Sequence, residues 1–243
     1  MDSPRFAYDP TVTARFPTIA GGVIHAVGLA NGPSPAALLE AFEAEQAAVR
    51  ERIGATPLSE LPSLAAWRRV FRSFGVDPTA YRSAAEALLR RLTKQGSIPS
   101  INAVVDIANL VSIRYGLPVA AFDQHRIRGG IVVRFAAGSE SFTDLGSGAA
   151  ESPNAGEVIF IDEAGLVCAR RWCWRQSAEC AADESTSEVV VTVEGHHDGA
   201  DRDVLAATAD LVDLLERTCH PSRIVSVELD PGRPAFEGLR EGR

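Results

Sequence analysis

Three places in the sequence gather polar side chains at spacings that could hold a ligand. In 101–115, Asn102, Asp106 and Asn109 fall at i, i+4 and i+7 and so share one face of a helix. The other positions are apolar: Val104, Val105, Ile107, Ala108 and Val111. Asn and Asp are poor helix formers, and an open helix face more often carries Lys, Glu or Arg. The stripe is therefore either a solvated face or the wall of a half-buried pocket that hydrogen-bonds a ligand. The second place is Arg170-Arg171-Trp172-Cys173-Trp174-Arg175-Gln176-Ser177, with three arginines and two of the three tryptophans. Such a run suits a lip that stacks on a base and neutralises phosphate. It equally suits a strand–loop corner whose tryptophans pack inward. The third is Glu194, closing the run Val189-Val190-Val191-Thr192-Val193, with Asp123 in the same position after Leu117–Phe122. A carboxylate at a strand end is solvated, or in a pocket it binds an amino group or a hydroxyl.

Other chemistries find less support. Ser177 and His196 have no sequence relation that would make them a nucleophile and its base. Cys168, Cys173, Cys180 and Cys219 match neither a zinc ribbon nor a CxxC pair, and free, partly buried thiols are expected. His196-His197 and Cys219-His220 lack a second cluster at ligand spacing, so no metal site is expected. The segment Gly28–Gly32 matches neither nucleotide-binding fingerprint, and no cofactor is expected. Net charge is −8, with Lys94 the only lysine, which argues against a broad nucleic-acid footprint and against DNA. Any RNA contact should be local, on an arginine patch. No apolar run approaches the roughly 18 residues of a membrane helix. No secretory signal is visible either, so a cytoplasmic location is expected.

The elements that must position these groups are legible in outline. Gly21–Val27 reads as a first strand ending at the turn signal Asn31-Gly32. Ser34-Pro35 opens a helix to about Ile53, and Trp67, Val70, Phe71 and Phe74 give a second its core stripe. A third spans about 80–92 and carries Arg82, Arg90, Arg91 and then Lys94. Ser100 is the expected cap of the fourth, with Gly116 as its stop. Short strands follow at 117–122, 130–135, 158–162, 166–170 and 188–194, then a helix over 201–218 and a strand over 222–229. Residues 1–20 read as an irregular lead-in and 231–243 as a loose tail. The order predicts a mixed α/β (α+β) fold with a central sheet flanked by helices. A single domain over 1–243 is expected, the strand and helices of 20–75 belonging to the same unit, since a lone strand would lack a sheet.

Several of these residues carry a family likeness. Ala87-Leu88-Leu89-Arg90-Arg91, Ile98-Pro99-Ser100-Ile101-Asn102, Val105-Asp106-Ile107-Ala108-Asn109, Leu117-Pro118 and Phe122-Asp123 together resemble the editing (B3/B4) module of the phenylalanyl-tRNA synthetase β chain and its free-standing relatives. Gly129–Arg134 and Arg170-Arg171-Trp172 continue the match, which covers about 80–195. The resemblance implies an editing-domain-like fold whose cleft takes the aminoacyl-adenosine end of a tRNA. It implies a deacylase acting in trans on mischarged aminoacyl-tRNA, with tRNA as partner and a synthetase as a further one. Asn109 and Glu194 would be the catalytic pair, Asn109 lining the pocket and Glu194 sensing the amino acid. Asn102, Asp106, Asp123, Arg171, Trp172, Trp174, Arg175 and Gln176 would bind substrate, Arg171 and Arg175 through the terminal phosphates. This chain departs from the module where Ala120 replaces a histidine and Trp172-Cys173-Trp174 replaces a glycine-rich segment. Nothing resembles the synthetase's catalytic core, so aminoacylation is not expected. A non-catalytic module that binds tRNA or an amino acid is the alternative, and an esterase or amidase of small aminoacyl compounds a third.

Overall fold

The computed structural model describes residues 4–239. The chain begins β1 (Phe6–Tyr8), α1 (Pro10–Arg15), β2 (Ala20–Val27), α2 (Ala36–Ile53), α3 (Pro62–Ser73), α4 (Ala84–Gln95) and α5 (Ala103–Tyr115). It continues β3 (Val119–Asp123), β4 (Ile131–Phe135), β5 (Phe142–Thr143), β6 (Ala150–Glu151), β7 (Val158–Asp162), β8 (Val167–Arg170) and β9 (Arg175–Gln176). It closes with β10 (Glu188–Gly195), α6 (Ala200–Cys219), β11 (Arg223–Leu229) and β12 (Ala235–Phe236). The fold is mixed α/β.

Two sheets organise it. A four-stranded antiparallel sheet runs β11-β2-β10-β3. A six-stranded sheet runs β12-β1-β4-β7-β8-β9, with β1 and β4 its one parallel pair among the described strands. Because side chains alternate along a strand, β10 serves two layers at once. Val189, Val191 and Val193 pack with Ile24 and Ala26 of β2 against α2, α4, α5 and α6. Val190 turns the other way, into a second core with Phe6, Phe122, Ile131, Phe160 and Trp172. Thr192 and Glu194 continue that second face, which looks toward the six-stranded sheet. Gly22 lets α6 close on β2, since a Cβ there would stand 2.0 Å from Thr208 Oγ1.

The termini differ from expectation. The lead-in holds β1 and α1, and Phe6 and Tyr8 are buried among aromatic neighbours. Three residues cannot show a strand's period, which is why the sequence pattern hid β1. The tail is paired too: Phe236 and Ala235 lie opposite Phe6 and Ala7. Residues 240–243 of that expected loose tail lie outside the described residues, as do 1–3 of the lead-in. Helix α5 starts two residues later than its apolar run suggests. Asn102 caps it, its Oδ1 accepting from Val105 N at 3.1 Å, while Ser100 donates its hydroxyl to Asp106 instead. Gly116 stops the helix in the left-handed region, as predicted.

Candidate functional site

A cavity of about 590 Å³ opens between the two sheets and the α4–α5 layer. Leu88 and Arg91 of α4, Asn109 of α5, Ala120 of β3 and Thr192 and Glu194 of β10 line it. Trp172 to Gln176 form its opposite rim. The rim owes its shape to an uncommon backbone. Arg171 and Trp172 both take positive φ, 45° and 61°, in a turn that drops from β8 to β9. The turn is held by Trp172 N donating to Val158 O at 2.6 Å and Trp174 N to Arg170 O at 3.2 Å. Gln176 Nε2 donates to Ala121 O at 2.7 Å, tying the rim to β3.

The tryptophan run divides, one ring packing inward and the other standing at the rim. Trp172 is fully buried, edge-on to Phe16, Trp67 and His196 with ring centroids 5.0, 5.3 and 5.1 Å away. Trp174 is half-buried at the cavity mouth, and Arg175 lies over its ring at 4.8 Å. The Arg175 guanidinium also donates to Asp144 Oδ2 at 2.7 Å. Arg171 does not reach the cavity. It is buried between Tyr81 and Trp174, 3.7 and 4.4 Å from their ring centres, and its Nη1 has no hydrogen-bond partner among the described residues. Burial pulls its pKa down, with Glu157 opposing at 3.8 Å.

Glu194 is the chemical centre of the cavity wall. Oε1 accepts from Tyr8 Oη at 2.7 Å and from Trp172 Nε1 at 3.0 Å. Burial raises its pKa to about 7, although both donors favour the charged form and pull the other way. Tyr8 is itself pushed well above its ordinary value by burial and by the Glu194 charge, so its hydroxyl stays a donor. His196 sits behind Trp172 with Nδ1 3.1 Å from Thr18 Oγ1. Burial lowers its pKa to about 3, which leaves it neutral near pH 7. Asn109 is half-buried and makes no side-chain hydrogen bond with the described residues, so its amide is free for a ligand.

Three expected site residues have other duties. Asp106 is fully buried below the helix start, accepting from Ser34 Oγ at 2.6 Å, from Ile101 N at 2.9 Å and from Ser100. Asn102 caps α5 and bonds Asn31 and Ala182 O. Asp123 caps the turn after β3 and accepts from Thr186 Oγ1 at 2.8 Å. The i, i+4, i+7 stripe thus divides: two members pin loops and only Asn109 faces the cavity. Because Asn102 lies in the extended cap rather than in the helix, the three do not share one face. Sequence reading missed Tyr8, Thr192 and Arg91. No sequence signal marks Tyr8: its hydroxyl lies over Gly21, where a Cβ would stand 2.3 Å from it, and only the fold brings the two together.

No group of three or more His, Cys, Asp or Glu among the described residues is arranged to hold a metal, and no described helix is long and apolar enough to cross a membrane. The family model described as the B3/4 domain matches residues 66–225. The chain belongs to the B3/4 domain family. The match takes in the whole cavity lining, while Tyr8, which supports Glu194, lies before it. Three relatives are phenylalanine–tRNA ligase beta subunits. This B3/4 protein is 36% identical to that of Streptomyces avermitilis over 124 residues, 51% of this chain and 14% of the relative. It is 36% identical to that of Nocardia farcinica over 123 residues, 51% of this chain and 14% of the relative. For Yersinia pestis the figures are 36% over 81 residues, 33% and 10%. The B3/4 protein therefore spans only a small part of the length of these relatives. A solved N-terminal fragment of the phenylalanyl-tRNA synthetase beta subunit from Pyrococcus horikoshii aligns at a TM-score of 0.43 and 16% identity, over 51% of this chain and 44% of that one.

Proposed function

We propose that this B3/4 domain is a trans-acting deacylase that hydrolyses mischarged aminoacyl-tRNA, taking the aminoacyl-adenosine end into the cavity. One observation carries the reading: an unpaired amide, Asn109, and a buried carboxyl titrating near neutrality, Glu194, line one cavity with an aromatic rim. The reaction asks little of the protein in proton transfer. An aminoacyl ester is already activated, so water adds to the carbonyl carbon, the bond to the ribose oxygen breaks, and that oxygen takes the proton. Positioning and stabilisation of the tetrahedral oxyanion supply the rate. Asn109 orients the ester and donates to the developing oxyanion. Glu194, whose two protein hydrogen bonds both end on Oε1, accepts from a donor group on the amino acid. Trp174 stands at the mouth under the Arg175 guanidinium, so the terminal base stacks there by displacing Arg175 or by lying on that guanidinium plane, and a synthetase is the natural source of the charged tRNA.

The test is a panel of correctly and wrongly charged tRNAs incubated with the protein and with its Asn109→Ala variant. Depletion of one mischarged species is expected, with turnover in the variant lower by about 10²-fold, the scale of losing one oxyanion donor. No turnover of any species, at protein in excess over tRNA, would leave a binding module in its place.

A further inference from the structure

Beside the cavity mouth lies a second groove of about 370 Å³ whose lining is cationic: Arg82, Arg90, Arg91, Lys94 and Arg175, with Trp174. No carboxylate among the described residues lines it, in a chain where 32 acidic residues outnumber 24 basic ones. Arg90, Arg91 and Lys94 are exposed and form no ion pair with the described residues. Arg82 has one distant partner, Glu86 at 3.8 Å, which Arg68 already engages at 2.7 Å. Ala87, Arg90, Arg91 and Lys94 fall at i, i+3, i+4 and i+7 on α4, so the cations share one face. The helix dipole accounts for Lys94 alone, the one base in the last turn. Unpaired like charges held side by side repel, an arrangement that an anionic ligand relieves.

The groove and the cavity share Ala87, Arg91, Trp174 and Arg175, so the two adjoin at the Trp174 rim. Their interiors differ. The inner wall of the cavity holds Glu194 amid apolar side chains, and its two arginines, Arg91 and Arg175, are the ones it shares with the groove. The groove favours phosphate and has little to hold an amino acid. We infer that the α4 groove is the phosphodiester track of this protein: it holds the backbone of a single-stranded RNA 3′ end whose last nucleoside turns past Trp174 into the cavity. The inference rests on the deacylase reading for the identity of that last nucleoside, and it reassigns the phosphate contacts. Arg171 is buried between two rings and Arg175 is tied to Asp144, so Arg90, Arg91 and Lys94 take the phosphates.

The experiment is fluorescence anisotropy with a 5′-labelled 12-nucleotide single-stranded RNA ending in an unesterified 3′ adenosine, over 25–300 mM KCl. Each phosphate neutralised on a single strand contributes about −0.7 to the slope of log K against log salt. Three contacts give the wild-type protein a slope of about −2, and Arg90→Ala/Lys94→Ala flattens it to about −0.7. Arg90→Lys keeps the slope, because it keeps the charge. Equal slopes in the wild type and the double variant overturn the inference, as does absence of wild-type binding at 25 mM KCl. Hydrolysis of a charged tRNA, followed separately, tells the two failures apart. Hydrolysis with equal slopes removes the groove and keeps the deacylase. Binding that flattens in the double variant, without hydrolysis by the wild type, does the reverse.

Discussion

Glu194→Gln isolates the cost of the buried carboxyl. The pKa of Glu194 rises from 4.5 to about 7 on folding. Between those two pH values the folded protein binds a proton that the unfolded chain has released. Stability therefore falls as pH rises through this window. A shift of roughly 2.5 units at 1.36 kcal/mol each amounts to about 3 kcal/mol lost by pH 8 relative to pH 4. The amide variant carries no charge at either pH, and its carbonyl oxygen can still accept from Tyr8 and Trp172. The stability of Glu194→Gln minus that of the wild type should grow by about 3 kcal/mol from pH 4 to pH 8. His196 works in the opposite sense. Its pKa is lowered from 6.5 to about 3, so the unfolded chain binds the extra proton and stability falls as pH drops below 6.5. That contribution is common to both proteins and cancels in the difference. Urea unfolding at half-unit steps of pH measures it. Two curves that run parallel from pH 4 to pH 8 would refute the reasoning, since a carboxyl that titrates alike folded and unfolded gives no divergence.

Four further outcomes follow from the same contacts. Tyr8→Phe removes one of the two donors that hold the Glu194 pKa down, so the midpoint should move above about 7; carbon-13 NMR of the carboxyl reads it, and an unmoved midpoint would deny the Tyr8 bond its role. Gly21→Ala puts a Cβ within 2.3 Å of that hydroxyl and should raise the same midpoint without changing either hydrogen-bonding side chain. Asp106→Ala leaves Ile101 N and the hydroxyls of Ser34 and Ser100 without their acceptor; these donors are exposed or half-buried and can turn to water, so at about 1 kcal/mol for each lost hydrogen bond the loss should be about 3 kcal/mol, and a loss under about 1 would sink the loop-pinning role. Trp172→Gly relieves a positive φ worth roughly 1–2 kcal/mol but empties the indole's place among Phe16, Trp67 and His196, where such truncations cost about 3–5 kcal/mol, so a drop in thermal midpoint is expected and a rise would mean that backbone strain dominates.

The long elements were legible because their burial repeats. Trp67, Val70 and Phe71 keep the helical period, and Val189 to Val193 face two cores in alternation, so both patterns survive in the sequence. The site was legible only where its residues lie on such elements. Asn109 and Glu194 each sit on one, and the structure brings both to one cavity. Asn102 and Asp106 misled for a physical reason. A helix start also needs short polar side chains, to satisfy amide groups that have no partner in the first turn, and spacing does not separate that demand from ligand binding. Tyr8 was hidden because a three-residue strand has no period, and its position over Gly21 is a tertiary fact.

Trp172 joins these observations. A tryptophan in the left-handed region is unfavourable alone, and so is a carboxyl removed from water. Here the turn that strains Trp172 also aims its indole N–H at Glu194 Oε1, while its ring fills the gap behind the carboxyl. The same ring excludes the water that would return the Glu194 pKa to its ordinary value. Rim shape and carboxyl pKa are thus two readings of one side chain. In the chain described here, the acid held near neutrality can exchange its proton when a ligand enters, and a ligand offering a hydrogen-bond donor to Oε2 draws it toward the charged form.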